Sequence, residues 1–179
     1  MRRYSLFLTP CDADFTYTAN LIRELCRTND TPAFEPHVTV YSGFLDDLEG
    51  LKKVVSASVS GIGPLPLRIR GIGCREEYFR SLFLEFEEEP RLRVIHDRMR
   101  TGVGENEAER EFFPHLSLLY RDMPLRRKED LAKRVVPDRP VLLFDQVKIV
   151  TPRNREEGWR DTEQWQTLFR VGLGEKEAV

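Results

Sequence analysis

One pattern occurs twice in this chain, and it constrains the fold more than anything else in the sequence. Phe34-Glu35-Pro36-His37-Val38-Thr39-Val40 and Phe112-Phe113-Pro114-His115-Leu116-Ser117-Leu118 share an order: aromatic, any residue, proline, histidine, apolar, hydroxyl, apolar. The two histidines are 78 residues apart. Proline disfavours the helical region for the residue before it, so each pattern reads as extended chain. In a strand, side chains at i and i+2 share a face, about 6.6 Å apart along the chain. His37 and Thr39 therefore point one way, with Val38 and Val40 on the apolar side. His115 and Ser117 repeat the arrangement, backed by Leu116 and Leu118. One such pair is weak evidence, because any strand can contain it. Two at matching places in a repeat are strong.

The flanking segments repeat in the same order. Residues 4–9 alternate as a strand. Residues 14–27 carry Phe15, Ala19, Ile22 and Cys26 at helical spacing, with Asp12 or Asp14 as the cap. After the strand at 37–41, residues 46–58 read as a helix and 65–71 as a strand. The second half offers a strand at 78–87 and a helix at 90–100, with Pro90 in its first turn. A loop at 101–110 leads to the strand at 115–120. A helix from Pro124 to about 136, capped by Asp122, and strands at 141–150 and 164–172 complete the half. The tail from Gly174 is polar and reads as frayed. This order predicts a single α+β domain over residues 1–179, built as a duplicated two-lobed unit with repeat halves of roughly 1–75 and 76–173. Two antiparallel sheets would face each other across a central groove, with the helices outside.

Composition excludes several classes. The chain has 179 residues, a net charge of -2 and 32% charged residues. That is a soluble composition without the basic balance of a protein that coats long nucleic acid. Cys11, Cys26 and Cys74 are odd in number and form no C-x-x-C pair, which predicts reduced thiols and no zinc site. No stretch approaches the roughly 20 apolar residues of a membrane span. The expectation is a cytoplasmic protein, monomeric by default, with no membrane partner.

The repeated groups suit chemistry at phosphorus. In-line displacement needs a base for the attacking water and an acid for the leaving oxygen, on opposite sides of the phosphorus. Histidine serves either role near neutral pH. The hydroxyls of Thr39 and Ser117 can donate to non-bridging oxygens. At this point the paired H-x-[ST]-apolar motifs resemble the two-histidine phosphoesterase superfamily. The segments Pro36 to Val40 and Pro114 to Tyr120 are most similar to the cyclic phosphodiesterases of the plant and yeast type. The resemblance runs from Tyr4 to about Thr167.

It implies a bilobal fold and metal-independent hydrolysis of cyclic phosphates. ADP-ribose 1″,2″-cyclic phosphate would give the 1″-phosphate, and nucleoside 2′,3′-cyclic phosphates the 2′-phosphates. His37, Thr39, His115 and Ser117 would be catalytic and Tyr120 a substrate contact, with no cofactor and no metal ligand. Strict alternation puts Tyr120 on the face away from Ser117, so a bulge or the strand's end must turn it back. An enzyme acting on RNA ends, similar to 2′,5′-RNA ligases, and a nucleotide-binding module without turnover stand as alternatives.

Tyr78 and Phe79 are candidates for stacking on a base, against a core role. His96 reads as a structural residue at a boundary or surface. Arg126, Arg127 and Lys128 read as a solvated face, and Trp165 as core. Arg68 and Arg70 share a strand face and would meet phosphate or an acidic neighbour. The polar segment 153–161 is long enough to act as a lid.

Overall fold

The computed structural model describes residues 2–105, 112–152 and 165–174. The expected segment 153–161, residues 106–110 of the loop at 101–110, the first residue of the strand at 164 and the tail beyond Gly174 lie outside the described residues. In chain order the elements are β1 (Arg2–Pro10), α1 (Asp12–Thr28), β2 (Val38–Leu45), α2 (Leu48–Val59), β3 (Leu65–Gly73), β4 (Leu82–Phe86), α3 (Pro90–Gly102), β5 (His115–Leu119), α4 (Leu125–Ala132), β6 (Val141–Pro152) and β7 (Trp165–Gly172). The fold is α+β, as the sequence predicts.

All strand pairs are antiparallel. The order is β1-β2-β5-β4-β3-β6-β7, and β6 also pairs with β1, so six strands close into a ring that carries β7 on one edge. The seven strands thus form one hydrogen-bonded sheet, where the sequence predicts two separate sheets facing each other, because the two halves pair directly. At one seam the join is the single pair Val38 with Leu116. At the other it is the ladder from Leu65–Phe144 to Arg68–Val141. The halves also exchange their third strands: β3 lies beside β4, and β6 beside β1.

The duplication extends to the irregularities. β1 pairs Leu6 with Tyr41 and then Phe7 with Thr39, which leaves Val40 as a bulge. β4 pairs Leu82 with Leu119 and then Phe83 with Ser117, which leaves Leu118. Arg70 is bypassed between β3 and β4 in the way Asp145 is bypassed between β6 and β1. A bulge bends its strand and re-aims a side chain. Both motifs therefore carry the same bend, one residue past the hydroxyl.

The core holds the apolar residues that alternate with the motif groups. Val38, Val40, Leu116 and Leu118 are buried beside Leu6, Leu8, Leu82 and Leu84. Ile22 of α1, Val55 of α2, and Leu92, Ile95 and Met99 of α3 complete it. Burying each such side chain contributes roughly 1.5–3 kcal/mol.

Local chemistry departs from the sequence expectation at several points. Neither Asp12 nor Asp14 caps α1, whose N-cap Cys11 makes no side-chain capping bond. Asp14 is buried, accepts the Leu143 N–H at 2.7 Å and pairs with Arg139, which ties α1 to β6 and the loop before it. Residues 78–80 form a 3₁₀ turn rather than the start of a strand. The Arg80 N–H bonds the Glu77 carbonyl at 3.0 Å and the Arg75 N–H bonds the Arg80 carbonyl at 2.7 Å, closing the segment on itself. α4 is N-capped by Pro124 rather than Asp122 and ends at Ala132.

Lys128 is not on a solvated face. It is fully buried, and its ammonium donates to the Arg75 and Glu76 carbonyls at 3.0 and 2.9 Å. Arg126 and Arg127 beside it are exposed. His96 is structural but buried, with Nδ1 3.0 Å from the Val40 carbonyl and the ring stacked on Phe112 at 4.2 Å. Arg68 meets an acidic neighbour, Glu87, at 3.7 Å.

Candidate active site

The two motifs meet at a cavity of about 390 Å³. His37, Thr39, His115, Ser117, Phe79 and Tyr120 all line it, together with Phe7, Arg80 and Trp165. Tyr78 stands one layer back, stacked on Tyr120 at 6.0 Å and edge-on to Phe79 at 5.1 Å.

Each histidine is oriented by its own backbone. His37 Nδ1 lies 2.6 Å from the Glu35 carbonyl, and His115 Nδ1 lies 2.9 Å from the Phe113 carbonyl. A carbonyl only accepts, so each Nδ1 carries the proton and each Nε2 presents a lone pair. The intervening prolines, Pro36 and Pro114, fix φ and set up the extended approach from which that carbonyl folds back. The same device thus sets the same tautomer on both sides.

The rings sit in different surroundings. His37 is almost fully buried and stacks on Phe7 at 3.6 Å. Its pKa is pushed down to about 4, first by desolvation and then by the positive charges of His115 and Lys148, against the carbonyl bond that raises it. Lys148 is itself buried and pairs with Glu35. His115 is half-buried, edge-on to Phe83 at 5.1 Å and stacked on Phe113 at 5.4 Å. Its pKa is lowered too, by desolvation first and then by Arg80 and Arg75. Those two guanidinium groups lie over the Phe113 ring at 5.6 and 4.5 Å.

The hydroxyls differ as well. Thr39 is open to the cavity, whereas Ser117 is buried and donates to the Phe79 carbonyl at 3.1 Å. Tyr120 follows the last residue of β5, and the bulge at Leu118 turns it to the same side as Ser117. Its ring stacks on Phe34 at 4.0 Å, and burial raises its pKa so that it stays protonated.

Trp165 is not a core residue. It is half-buried and stacks on Phe7 at 5.5 Å. Phe7, Phe83, Arg80 and the Glu35–Lys148 pair escape sequence reading, although Phe7 and Phe83 occupy matching places in the repeat. Among the described residues no group of three or more His, Cys, Asp or Glu side chains is placed to hold a metal ion.

The chain and its fold match known proteins. Residues 1–168 match the family described as cyclic phosphodiesterase-like protein. The chain belongs to that family. Among its relatives is the 2′,3′-cyclic-nucleotide 3′-phosphodiesterase of Kluyveromyces lactis, 30% identical over 152 residues, which cover 76% of this chain and 68% of that protein. The protein of the same name from Neurospora crassa is 28% identical over 151 residues, 74% of this chain and 69% of that one. The fold of this cyclic phosphodiesterase-like protein also resembles E. coli LigT, solved in complex with 3′-AMP. The TM-score is 0.61 and the identity 16%, over 97% of this chain and 99% of that one.

Proposed function

We propose that this protein hydrolyses a cyclic phosphate on a nucleotide without a metal ion, with His37 as general base and His115 as general acid. The observation that carries the reading is the matched pair of imidazoles. Both have Nδ1 bonded to the backbone, and both line one cavity between Thr39 and Ser117. Deep burial holds His37 neutral at pH 7, with a lone pair on Nε2 to take a proton from water. His115 is the more accessible ring, and an anionic phosphate beside it favours its imidazolium form.

The substrate best supported is a nucleoside 2′,3′-cyclic phosphate, the class named by both fungal relatives. Water adds to phosphorus and gives its proton to His37. The bond from phosphorus to O3′ breaks, and His115 protonates O3′. The product is the nucleoside 2′-phosphate. Thr39 and Ser117 donate to the non-bridging oxygens, Ser117 after its proton leaves the Phe79 carbonyl. Chemically equivalent opening of ADP-ribose 1″,2″-cyclic phosphate would give the 1″-phosphate.

The test is phosphate-position analysis of the product from 2′,3′-cyclic AMP with EDTA present. A 2′-phosphate is expected. A 3′-phosphate would reverse the leaving group, and EDTA-sensitive turnover would sink the metal-free mechanism. If only an oligonucleotide ending in a cyclic phosphate is turned over, the substrate is an RNA end. Tight nucleotide binding without turnover by any of these would make the chain a binding module.

A further inference from the structure

The two walls of the cavity differ in length. The ladder between β1 and β2 continues past the bulge through Ser5–Ser42, Tyr4–Gly43, Arg3–Phe44 and Arg2–Leu45. The equivalent ladder between β4 and β5 stops at Leu82–Leu119. On that side the chain has already turned into the 3₁₀ segment Tyr78–Arg80. The first wall therefore extends as a shelf beyond the catalytic groups, and the second does not.

The shelf carries an unusual side chain at its end. Phe44 is 59% exposed, yet it lines the same cavity as His37 and His115. An isolated exposed phenylalanine needs no explanation. One at the lip of the cavity, on a regular strand, has a ring face available to a ligand. The Arg3 guanidinium lies over the Phe44 ring, 5.8 Å from its centroid. Between this ring and the catalytic groups lie the Ser5 and Ser42 hydroxyls, 2.8 Å apart, both lining the cavity. Gly43, between Ser42 and Phe44, backs the shelf on its buried side. A Cβ there would stand 3.1 Å from the Tyr4 ring and 3.2 Å from the Tyr41 ring.

We infer that Phe44, held by Arg3, is the platform on which the nucleobase of the substrate stacks. The cyclic phosphate sits between His37 and His115, and the sugar passes the Ser5–Ser42 pair. This rests on the proposed function and deepens it by giving the base its own subsite, outside the repeated motifs. Every base has a π-face, so the platform accepts purines and pyrimidines, and the larger purine ring gains most. Arg3 strengthens the contact through its own charge on the ring system. Phe79, which also lines the cavity, then acts as a wall beside Ser117 and not as the stacking surface.

Equilibrium titration with adenosine 2′-phosphate and, separately, with inorganic phosphate tests this. Base–aromatic stacking corresponds to roughly a 5- to 160-fold change in affinity. Phe44→Ala should weaken the nucleotide by about that factor and leave phosphate unchanged, and Phe44→Trp should keep nucleotide affinity. Because Phe44 is exposed, neither variant is expected to disturb folding, which circular dichroism checks. Unchanged nucleotide affinity in Phe44→Ala would overturn the platform, and so would equal weakening of nucleotide and phosphate. Failure of the catalytic reading looks different: the wild type binds adenosine 2′-phosphate but does not open 2′,3′-cyclic AMP, and the same titration still judges the platform. A wild type that binds no nucleotide overturns both.

Discussion

The His37 and His115 half-sites are copies in backbone and strangers in environment. Both have proline before the histidine, Nδ1 bonded two residues back, and a bulge after the hydroxyl. The difference begins with the third strand of each lobe. Lys148 pairs with Phe7, whereas Gly73 pairs with Phe83. Lys148 fills the space beside Phe7, whose ring lies flat on His37. Gly73 leaves that space empty, and Phe83 turns into it, edge-on to His115. Upstream, Glu35 answers Lys148, while its counterpart Phe113 lies under Arg75 and Arg80. Duplication thus places two identical reactive groups, and divergence of their neighbours separates their proton affinities. Under the proposed function, the same motif then supplies both the base and the acid.

The sharpest way to break the comparison is to remove each imidazole. His37→Ala and His115→Ala should each lower turnover of a cyclic nucleotide by roughly 10²–10⁴-fold. They should part company on a diester whose leaving group is 4-nitrophenol, which departs without help from an acid. His115→Ala should recover most of its activity on that substrate, and His37→Ala should not. The reverse pattern would exchange the two roles.

The next effect is on stability. His37 binds its proton more weakly in the folded state than in the unfolded chain, because burial disfavours the charged ring. Below the ordinary value of 6.5 the unfolded chain gains the proton first. Stability is therefore fully present above pH 6.5, falls as pH drops, and levels off below about 4. The loss is on the order of 3 kcal/mol. His115 contributes with the same sign. Denaturant midpoints of the wild type and His37→Asn between pH 7 and pH 4 measure the difference. Parallel curves would mean that His37 takes up its proton without strain.

Much of this was legible before any coordinates. His37, Thr39, His115 and Ser117 can be read because strand periodicity alone puts them on one face and the repeat pairs the faces. What escapes is whatever depends on partners distant in sequence. Alternation tells which side a residue faces but not which strand lies beside it, so the exchange of β3 and β6 and the closure of the ring are invisible. Asp14 has every local credential of a cap, but Leu143 and Arg139 claim it from across the fold. Lys128 sits in a basic run, and only the loop at Arg75 and Glu76 gives its buried ammonium acceptors. Phe44 looks like an ordinary strand aromatic until the opposite wall is seen to be short.

The Glu35–Lys148 pair gives a third test, specific to the His37 side. The Lys148 side chain is 9% exposed and that of Glu35 is 35% exposed. Removing the carboxylate strands a buried ammonium, whereas removing the ammonium leaves a carboxylate that water can reach. Glu35→Gln should therefore cost about 2 kcal/mol, and Lys148→Met clearly less. Chemical unfolding of the two variants ranks them. The rate profiles should move in opposite directions. Lys148→Met removes a positive charge that lowers the His37 pKa and shifts the acidic limb to higher pH, and Glu35→Gln, which leaves that charge uncompensated, shifts it lower. Equal destabilisation and unmoved limbs would make the pair a passive contact.

The smallest change tests the origin of the asymmetry. A Cβ built on Gly73 would lie 2.4 Å from the Phe83 ring and 2.6 Å from a Glu85 carboxylate oxygen. Gly73→Ala must therefore push the Phe83 ring out of the space that, on the other side, Lys148 occupies. Overpacking of this kind costs about 1 kcal/mol or somewhat more. Turning towards His115, Phe83 would make the edge-on contact more like the stacked one at His37. His115 should then be more shielded, its pKa lower, and the alkaline limb of the rate profile displaced to lower pH. The nitrophenyl diester, which needs no acid, should show the stability cost but not the displaced limb. If the limb stays in place while stability falls, Gly73 serves packing alone, and the divergence of the two histidines must come from Arg75, Arg80 and Lys148.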